Sequence, residues 1–282
     1  MAATIGLLHP GDMGAVVGAC ARAAGQRVLW ASAGRSGETR RRAAAAGLED
    51  AGTVAAVIAA SEVVLSICPP HAALGLAREV AAQRFSGLFV DGNAVAPATA
   101  REIGAVVEEG GATFVDGGII GPPPRAAGST RLYLSGREAK RAVALFEGSA
   151  LEAIMVNDVP GAASALKMAY AAFTKGTSAL LMGVRALAAS EGVDDALLAE
   201  WQRSQPDLPR RSEAAARDNA RKAWRFVGEM EEIAATFEAA GLPGGFHRAC
   251  GEIYRRLADF KDVATPPAMA DLVEPLTRPG RK

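Results

Sequence analysis

Short apolar runs alternate with helix-spaced apolar positions through the first 157 residues. ATIGLL (3–8), RVLWAS (27–32), EVVLSIC (62–68), GLFVDG (87–92), ATFVDGG (112–118), STRLYLSG (129–136) and EAIMVND (152–158) each read as a short strand. EVVLSIC carries no apolar–polar alternation, as a strand buried on both faces requires. Helical spacing follows the first strand over 13–25, ending at Gly25, and recurs over 97–109. This order predicts the α/β class, with a doubly wound, mostly parallel sheet.

The pattern changes near Pro160. In GAASALKMAYAAFTKGTSALLMGVRALAASEG, apolar residues recur at three- and four-residue spacing. That stretch predicts one helix of about 30 residues, roughly 45 Å long at 1.5 Å per residue. Further helices are predicted over 194–204, 209–239 and 244–260, punctuated by Gly241, Pro243 and the pair Pro266–Pro267. Two domains follow, an α/β domain over 1–157 and an all-helical domain over 158–282. The terminal TRPGRK is expected to fray.

Composition narrows the classes of function. A length of 282 residues, half of them hydrophobic and 22% charged, suits a soluble globular chain. Lys plus Arg balance Asp plus Glu at 31 each, so no global charge points to nucleic acid or an anionic membrane. Cys20, Cys68 and Cys250 lie far apart with no C-x-x-C. They predict reduced thiols in a cytoplasmic protein, not a disulfide framework or a zinc site. His9, His71 and His247 are equally scattered and offer no metal-ligand spacing. The start MAATIGLLHPGDMG lacks the basic leader and long apolar core of a signal peptide. No apolar run approaches the roughly 20 residues of a membrane span.

GLLHPGDMGAVVG (6–18) joins the first strand to the first helix, where a dinucleotide fold places its G-x-G-x-x-G turn. A helix N-terminus offers free N–H groups and a positive dipole end to a phosphate. The candidate loop is His9, Pro10, Gly11, Asp12, Met13 and Gly14. Gly11 would let the backbone approach a pyrophosphate, and Gly14 would let the helix pack closely on the sheet. His9 replaces the first glycine, and Pro10 biases it toward an extended backbone, hanging its ring over the site. The plain alternative is a strand–helix turn without a ligand. Past the second strand, LWASAGRSGETRRR offers Ser32, Arg35, Ser36 and Arg40, with Glu38 displaced into the loop. An NAD enzyme usually places an acid at that strand's end for the ribose 2′-OH. Arg and Ser are partners for a 2′-phosphate, so NADP is favoured over NAD. Arg41 and Arg42 read as a solvated helix start.

IGLLHPGDMG resembles the N-terminal fingerprint of the β-hydroxyacid and 6-phosphogluconate dehydrogenases, usually I-G-x-I-G-x-G-x-M-G. Four more stretches resemble that superfamily in its own order, across most of the chain. CPPHAA (68–73), with Cys68, Pro69 and Pro70, is similar to the segment that passes the nicotinamide. DGNAVAPATA (91–100) is similar to the D-x-S-T-x-x-P substrate loop, with Asn93 at the serine position and near the cofactor. VDGGIIGPPPRAAGSTRLYLSG (115–136) resembles the D-A-P-V-S-G-G stretch. GAASALKMAYAA (161–172) resembles G-x-G-x-x-x-K-x-x-N-N, which carries the catalytic lysine. The HPG variant points to a subgroup with a distinct C-terminal half. The resemblance implies a Rossmann domain, an all-α domain opened by a long interdomain helix, a homodimer built on the helical domains, and hydride transfer to or from a small-molecule substrate.

Lys167 is the first candidate for acid/base catalysis, because a lysine beside a nicotinamide can exchange a proton with a substrate oxygen. Its alternative is a snorkelling surface lysine. The asparagine that the family places four residues later is Ala171, while Tyr170 stands three residues on, on the same helix face. Tyr170 is then a second acid or hydrogen-bond donor, or else a core residue. Asn93 replaces the family serine as a substrate-binding group. The glycine-rich segment 117–121, with Gly118, Ile119, Ile120 and Gly121, is expected to hold substrate as a loop. Arg225, Glu229 and Glu232 fall near one helical face, where Arg225 and Glu229 either orient a polar substrate or form a surface ion pair. His247 reads as a helix-start residue. Asp91 and Asp116 either cap the following turn or touch ligand. Three functions remain open: an NADP-dependent oxidoreductase acting on a β-hydroxyacid-like alcohol, an imine reductase, and a non-catalytic NADPH-binding protein.

Overall fold

Residues 2–278 are described by the structure, a computed structural model. The first part of the chain runs β1 (Thr4–Leu8), α1 (Asp12–Ala23), β2 (Arg27–Trp30), α2 (Gly37–Ala45), β3 (Glu49–Asp50), α3 (Val54–Ala60), β4 (Val63–Ser66), α4 (Pro70–Ala82), β5 (Leu88–Asp91), α5 (Pro97–Glu109), β6 (Thr113–Ile120), β7 (Arg131–Ser135), α6 (Ala139–Ala144) and β8 (Glu152–Asn157). Then follow α7 (Ala162–Ser190), α8 (Asp194–Ser204), α9 (Leu208–Asn219), α10 (Ala223–Ala239), α11 (Gly245–Arg256) and α12 (Met269–Thr277).

The eight strands form one sheet in the order β3-β2-β1-β4-β5-β6-β7-β8. Every pair is parallel except β6 with β7. Apolar residues cover both faces. Ile5, Leu7, Val63, Leu65 and Val90 belong to one core, and Leu8, Val64, Phe89 and Phe114 to the other. This explains the unbroken apolar run in β4, whose successive side chains enter opposite cores. The register sets Ser66 beside Asp91, and Asp91 beside Asp116, at the carboxyl ends of β4 and β5.

The chain divides into two compact units inside α7, between Met168 and Ala169, where a boundary at 157/158 was expected. The first two turns of α7 therefore pack with the sheet unit. The helix expected over 209–239 is interrupted at Ala220–Lys222 by a single 3-10 turn. Asn219 supplies a cause: its Nδ2 donates to the carbonyl of Ala215, one turn back, at 3.0 Å, and to Ser178 Oγ at 3.3 Å. The helix expected over 244–260 ends at Arg256 and gives way to a 3-10 segment over Ala258–Asp262. Helices α2, α3, α4, α6 and α12 were not predicted; α2 and α3 (GETRRRAAA and VAAVIAA) are short and have too few large apolar residues to mark a period. Of the TRPGRK tail expected to fray, Thr277 is the last residue of α12 and Arg278 its C-cap; the remainder, 279–282, lies outside the described residues. Among the described residues no helix is long and apolar enough to cross a membrane.

Candidate active site

Backbone hydrogen bonds and two glycines shape the loop after β1. His9 N donates to Ile67 O (3.2 Å), which ties the loop to the end of β4, and Gly11 N donates to His9 O (2.9 Å). A side chain at Gly14 would collide with the carbonyl oxygen of His9. That glycine allows α1 to begin directly against the strand end. Gly11 is different: a Cβ there would meet nothing within 4 Å. No packing requirement of the described chain explains its missing side chain. Gly11 is also the N-cap of α1 and gives no side-chain cap, so the first amides of the helix lack that partner. An open glycine before an uncapped helix end fits the pyrophosphate of a dinucleotide. Pro10 is buried, Met13 packs against the core, and Asp12 pairs with Arg42 at 3.3 Å.

His9 and Arg35, 26 residues apart in sequence, meet. Arg35 Nη2 lies 2.8 Å from His9 Nε2. Burial, reinforced by the Arg35 charge, pushes the His9 pKa down to about 4. Ser32 and Ser36 have local partners. The Ser32 carbonyl accepts from Arg40 Nη2 at 3.2 Å, and Asp50 bonds to the Ser32 side chain. Ser36 caps α2, accepting from Thr39 N at 3.2 Å.

Asn93 requires a correction. It is buried, and its Oδ1 accepts from Cys68 N at 2.6 Å. Its Nδ2 donates to Ser66 Oγ at 2.9 Å and to Asp91 Oδ1. Both amide hydrogens are thus used within the protein. Asn93 clamps the ends of β4 and β5 together and has no hydrogen left to donate to a substrate. The Cys68 thiol is pushed up to about 12 by burial and then by Asp91, so it is no thiolate. Pro69 caps α4, and Pro70 opens it. Burial, together with the neighbouring Asp116 charge, raises Asp91 to about 8, and its Oδ2 has no hydrogen-bond partner.

A second correction concerns 117–121. Gly118, Ile119 and Ile120 are not a loop. They continue β6, paired with Tyr133, Leu132 and Arg131 of β7, and both isoleucines are buried. Gly121 ends the strand at φ +128, where its backbone suits only glycine. The strand has a use nonetheless. A Cβ on Gly118 would lie 2.8 Å from Ala163 O and 2.9 Å from Lys167 Cβ. Its absence lets the head of α7 lie against β6 and brings Lys167, half-buried, beside Gly118. Asp116 and Ser135 anchor that helix end. Asp116 accepts from Ser164 N (2.9 Å), Ser164 Oγ (2.6 Å) and Ser135 Oγ (3.0 Å), and Ala163 N donates to Ser135 Oγ at 3.0 Å. Asp116 therefore caps a helix through a bond to an amide 48 residues downstream rather than the next turn. Sequence reasoning missed Ser135 and Ser164; the one local signal was Ser164, in the first turn of a predicted helix, while Ser135 is the last residue of β7.

In the helical unit, Tyr170 is 48% exposed, which removes the core-packing alternative. Ala171 is buried. Glu229 is buried and pairs with Lys175 of α7, whose ammonium also lies 4.6 Å from the Phe226 ring centroid. Glu229 thus braces α10 against α7, while Arg225 is exposed. Glu229 pairs with Lys175, not in the surface ion pair with Arg225 that was one of its two expected roles. His247, in the first turn of α11 as its helix-start reading expects, packs against Phe237 and Phe246, and burial lowers its pKa.

Comparison with known proteins gives the family and the fold. Residues 188–257 match a domain of unknown function, DUF1932. A 28.5 kDa protein of Methanothermus fervidus, encoded in the 7S RNA 5′ region, is 30% identical over 165 residues, 58% of this chain. The match spans 63% of that relative's length. The fold is that of a 3-hydroxyisobutyrate dehydrogenase of Mycobacterium tuberculosis, 20% identical, with TM-score 0.72 over 98% of this chain and all of the other. It is also that of a Streptomyces aurantiacus imine reductase, 21% identical, with TM-score 0.56 over 96% of this chain and 98% of the other. Residues 3–156, more than half of the chain, match the NAD binding domain of 6-phosphogluconate dehydrogenase, and the chain belongs to that family.

Proposed function

We propose that the protein is an NADP(H)-dependent oxidoreductase that interconverts a small hydroxy compound of the β-hydroxyacid type with its carbonyl form. The observation that carries this reading is Lys167, half-buried against Gly118 on a helix turn anchored by Asp116 and Ser135, in the same compact unit as the open glycine loop. A bound nicotinamide supplies the hydride acceptor or donor. Lys167 Nζ takes the hydroxyl proton as the alcohol is oxidised and returns it to the carbonyl oxygen on reduction. Gly11 and the α1 amides hold the pyrophosphate, and Arg35 holds the ribose 2′-phosphate. Tyr170 adds a hydroxyl one helical turn from the lysine.

A homodimer is part of the proposal. Leu166, Phe173, Leu180 and Leu187 recur every seven residues along α7 and are all exposed, an apolar stripe suited to a second copy of the chain. The free thiols of Cys20, Cys68 and Cys250 suit a reducing compartment such as the cytoplasm. The second reading, C=N reduction, is favoured by buried Ala171, which leaves no amide where the family binds a hydroxyacid; retention of Lys167 weighs against it.

The test is an NADPH/NADP absorbance screen over hydroxyacids, amino alcohols and ketone–amine mixtures, repeated on Lys167→Ala. Turnover of a hydroxyacid should fall by about 10²- to 10⁴-fold in the variant. Unchanged turnover overturns the role of Lys167. Activity confined to ketone–amine mixtures selects the second reading. Cofactor binding without turnover anywhere in the panel selects a non-catalytic NADPH-binding protein.

A further inference from the structure

His9 occupies the place of a glycine in the dinucleotide turn, and its ring has a specific partner. Arg35 Nη2 reaches His9 Nε2 at 2.8 Å. A guanidinium has donors only, so Nε2 must accept, and the ring proton sits on Nδ1. The contact requires a neutral ring, in keeping with the low pKa of His9. Two donors are then left over: His9 Nδ1 and Arg35 Nε are both buried without a hydrogen-bond partner. The side chain that Arg35 meets is a neutral imidazole, not a carboxylate, so its charge is not neutralised there.

The surroundings hold this arrangement in place. Arg35 N donates to Ser32 O at 3.1 Å, closing a tight turn. Arg40 braces the same turn through Ser32 O (3.2 Å) and Arg35 O (3.4 Å). A protein selecting an unphosphorylated ribose keeps a carboxylate acceptor at this strand end. Asp50 is the acid nearest by register, beside Trp30, and it is turned onto Ser32 and the Gly52 amide. The site therefore has surplus donors and positive charge where an anion on the ribose would supply the acceptors.

We propose that His9 is a positioning residue for cofactor specificity: its Nε2 holds the Arg35 guanidinium at the first loop, so that 2′-phosphorylated and unphosphorylated dinucleotides are told apart by the His9–Arg35 pair rather than by Arg35 alone. This rests on the reading of the loop as a dinucleotide site. A glycine at position 9 removes the acceptor and frees the arginine to sample other rotamers. Glutamine restores an acceptor, and leucine fills the space without one.

Dissociation constants for NADP⁺ and NAD⁺ by titration calorimetry, with no substrate present, test the idea in wild type, His9→Gly, His9→Leu, His9→Gln, Arg35→Ala and His9→Leu/Arg35→Ala. The wild type should prefer NADP⁺, and Arg35→Ala should remove most of the preference. His9→Leu and His9→Gly should each cut it by about tenfold, a single charge-assisted hydrogen bond's worth. NAD⁺ affinity should change much less. His9→Gln should keep most of the preference, and the double variant should discriminate no worse than Arg35→Ala alone. A preference unchanged in His9→Leu overturns the inference while leaving the dinucleotide reading intact. Equal weakening of both cofactors in His9→Leu overturns it as well, since that is the signature of mere loop disruption. No binding of either dinucleotide to the wild type removes both the inference and the reading beneath it.

Discussion

The sheet unit and the helical unit handle buried polarity in opposite ways. In the sheet unit, Ser66, Asp91, Asn93, Asp116, Ser135 and Ser164 are buried and bond to one another and to backbone amides. In the helical unit the buried groups are charged and paired. Lys175 meets Glu229, and Arg185 is held by Asp194 (2.6 and 2.9 Å), Ser212 (2.8 Å) and Glu213 (3.2 Å). The reason is topological. Parallel strands end together, leaving amides and carbonyls at one edge that short polar side chains can satisfy. Helices satisfy their own interiors, so a polar side chain buried between them must find another side chain. The strand-end network leaves donors and acceptors over at His9, Arg35 and Asp91, where a ligand can use them. The helical pairs are closed and act as braces, with His247 Nδ1 the unpartnered exception.

If that contrast is right, breaking a brace costs stability, and altering the strand-end network changes titration. The largest effect is expected for Arg185→Met, which strands Asp194 and Glu213. It should lower unfolding stability by about 2–3 kcal/mol in denaturant titration, less than a fully buried pair would cost because Asp194 and Glu213 keep contact with water; a loss under about 1 kcal/mol would mean that Arg185 is no brace. Lys175→Met comes next, with a loss of about 2 kcal/mol as Glu229 loses its cation. Adding Glu229→Leu should recover most of that, and failure to recover would show that the ammonium also matters through the Phe226 ring. Asp91→Asn is the smallest change, since an amide oxygen replaces the acceptor. Native Asp91 titrates near 8, well above an unfolded aspartate near 4. The native state thus holds the extra proton between those values, and its contribution, complete below about pH 4, is lost as pH rises through about 8. Asp91→Asn should melt within about 2 °C of wild type at pH 5 and above it at pH 8.5. Parallel melting profiles would place the titrating group elsewhere.

Legibility followed the range of the interaction. The helix 97–109 and the helix 194–204 were read to the residue, and α7 within two residues, because apolar period and proline boundaries are local. The glycine loop was legible from its place after β1. Short alanine-rich helices were not, since alanine marks no face. Residues 119–120 extend the strand expected over 112–118 instead of joining a substrate loop, and its glycines, Gly117 and Gly118, admit the Asp91 carbonyl and the head of α7.

From its sequence alone the chain specified a parallel α/β unit, a long helix and a glycine turn with HPG at its centre, all patterns contained in a few consecutive residues. The tertiary structure alone decided that His9 meets Arg35, that Asn93 has no hydrogen to offer, that Asp116 caps α7 and that Glu229 faces Lys175. Each of those pairings joins residues brought together by strand order or helix packing, and Asn93 is used up by neighbours from two strands. A side chain's chemistry is read from its own position, but whether its donors and acceptors are free depends on which distant residue the fold sets beside it.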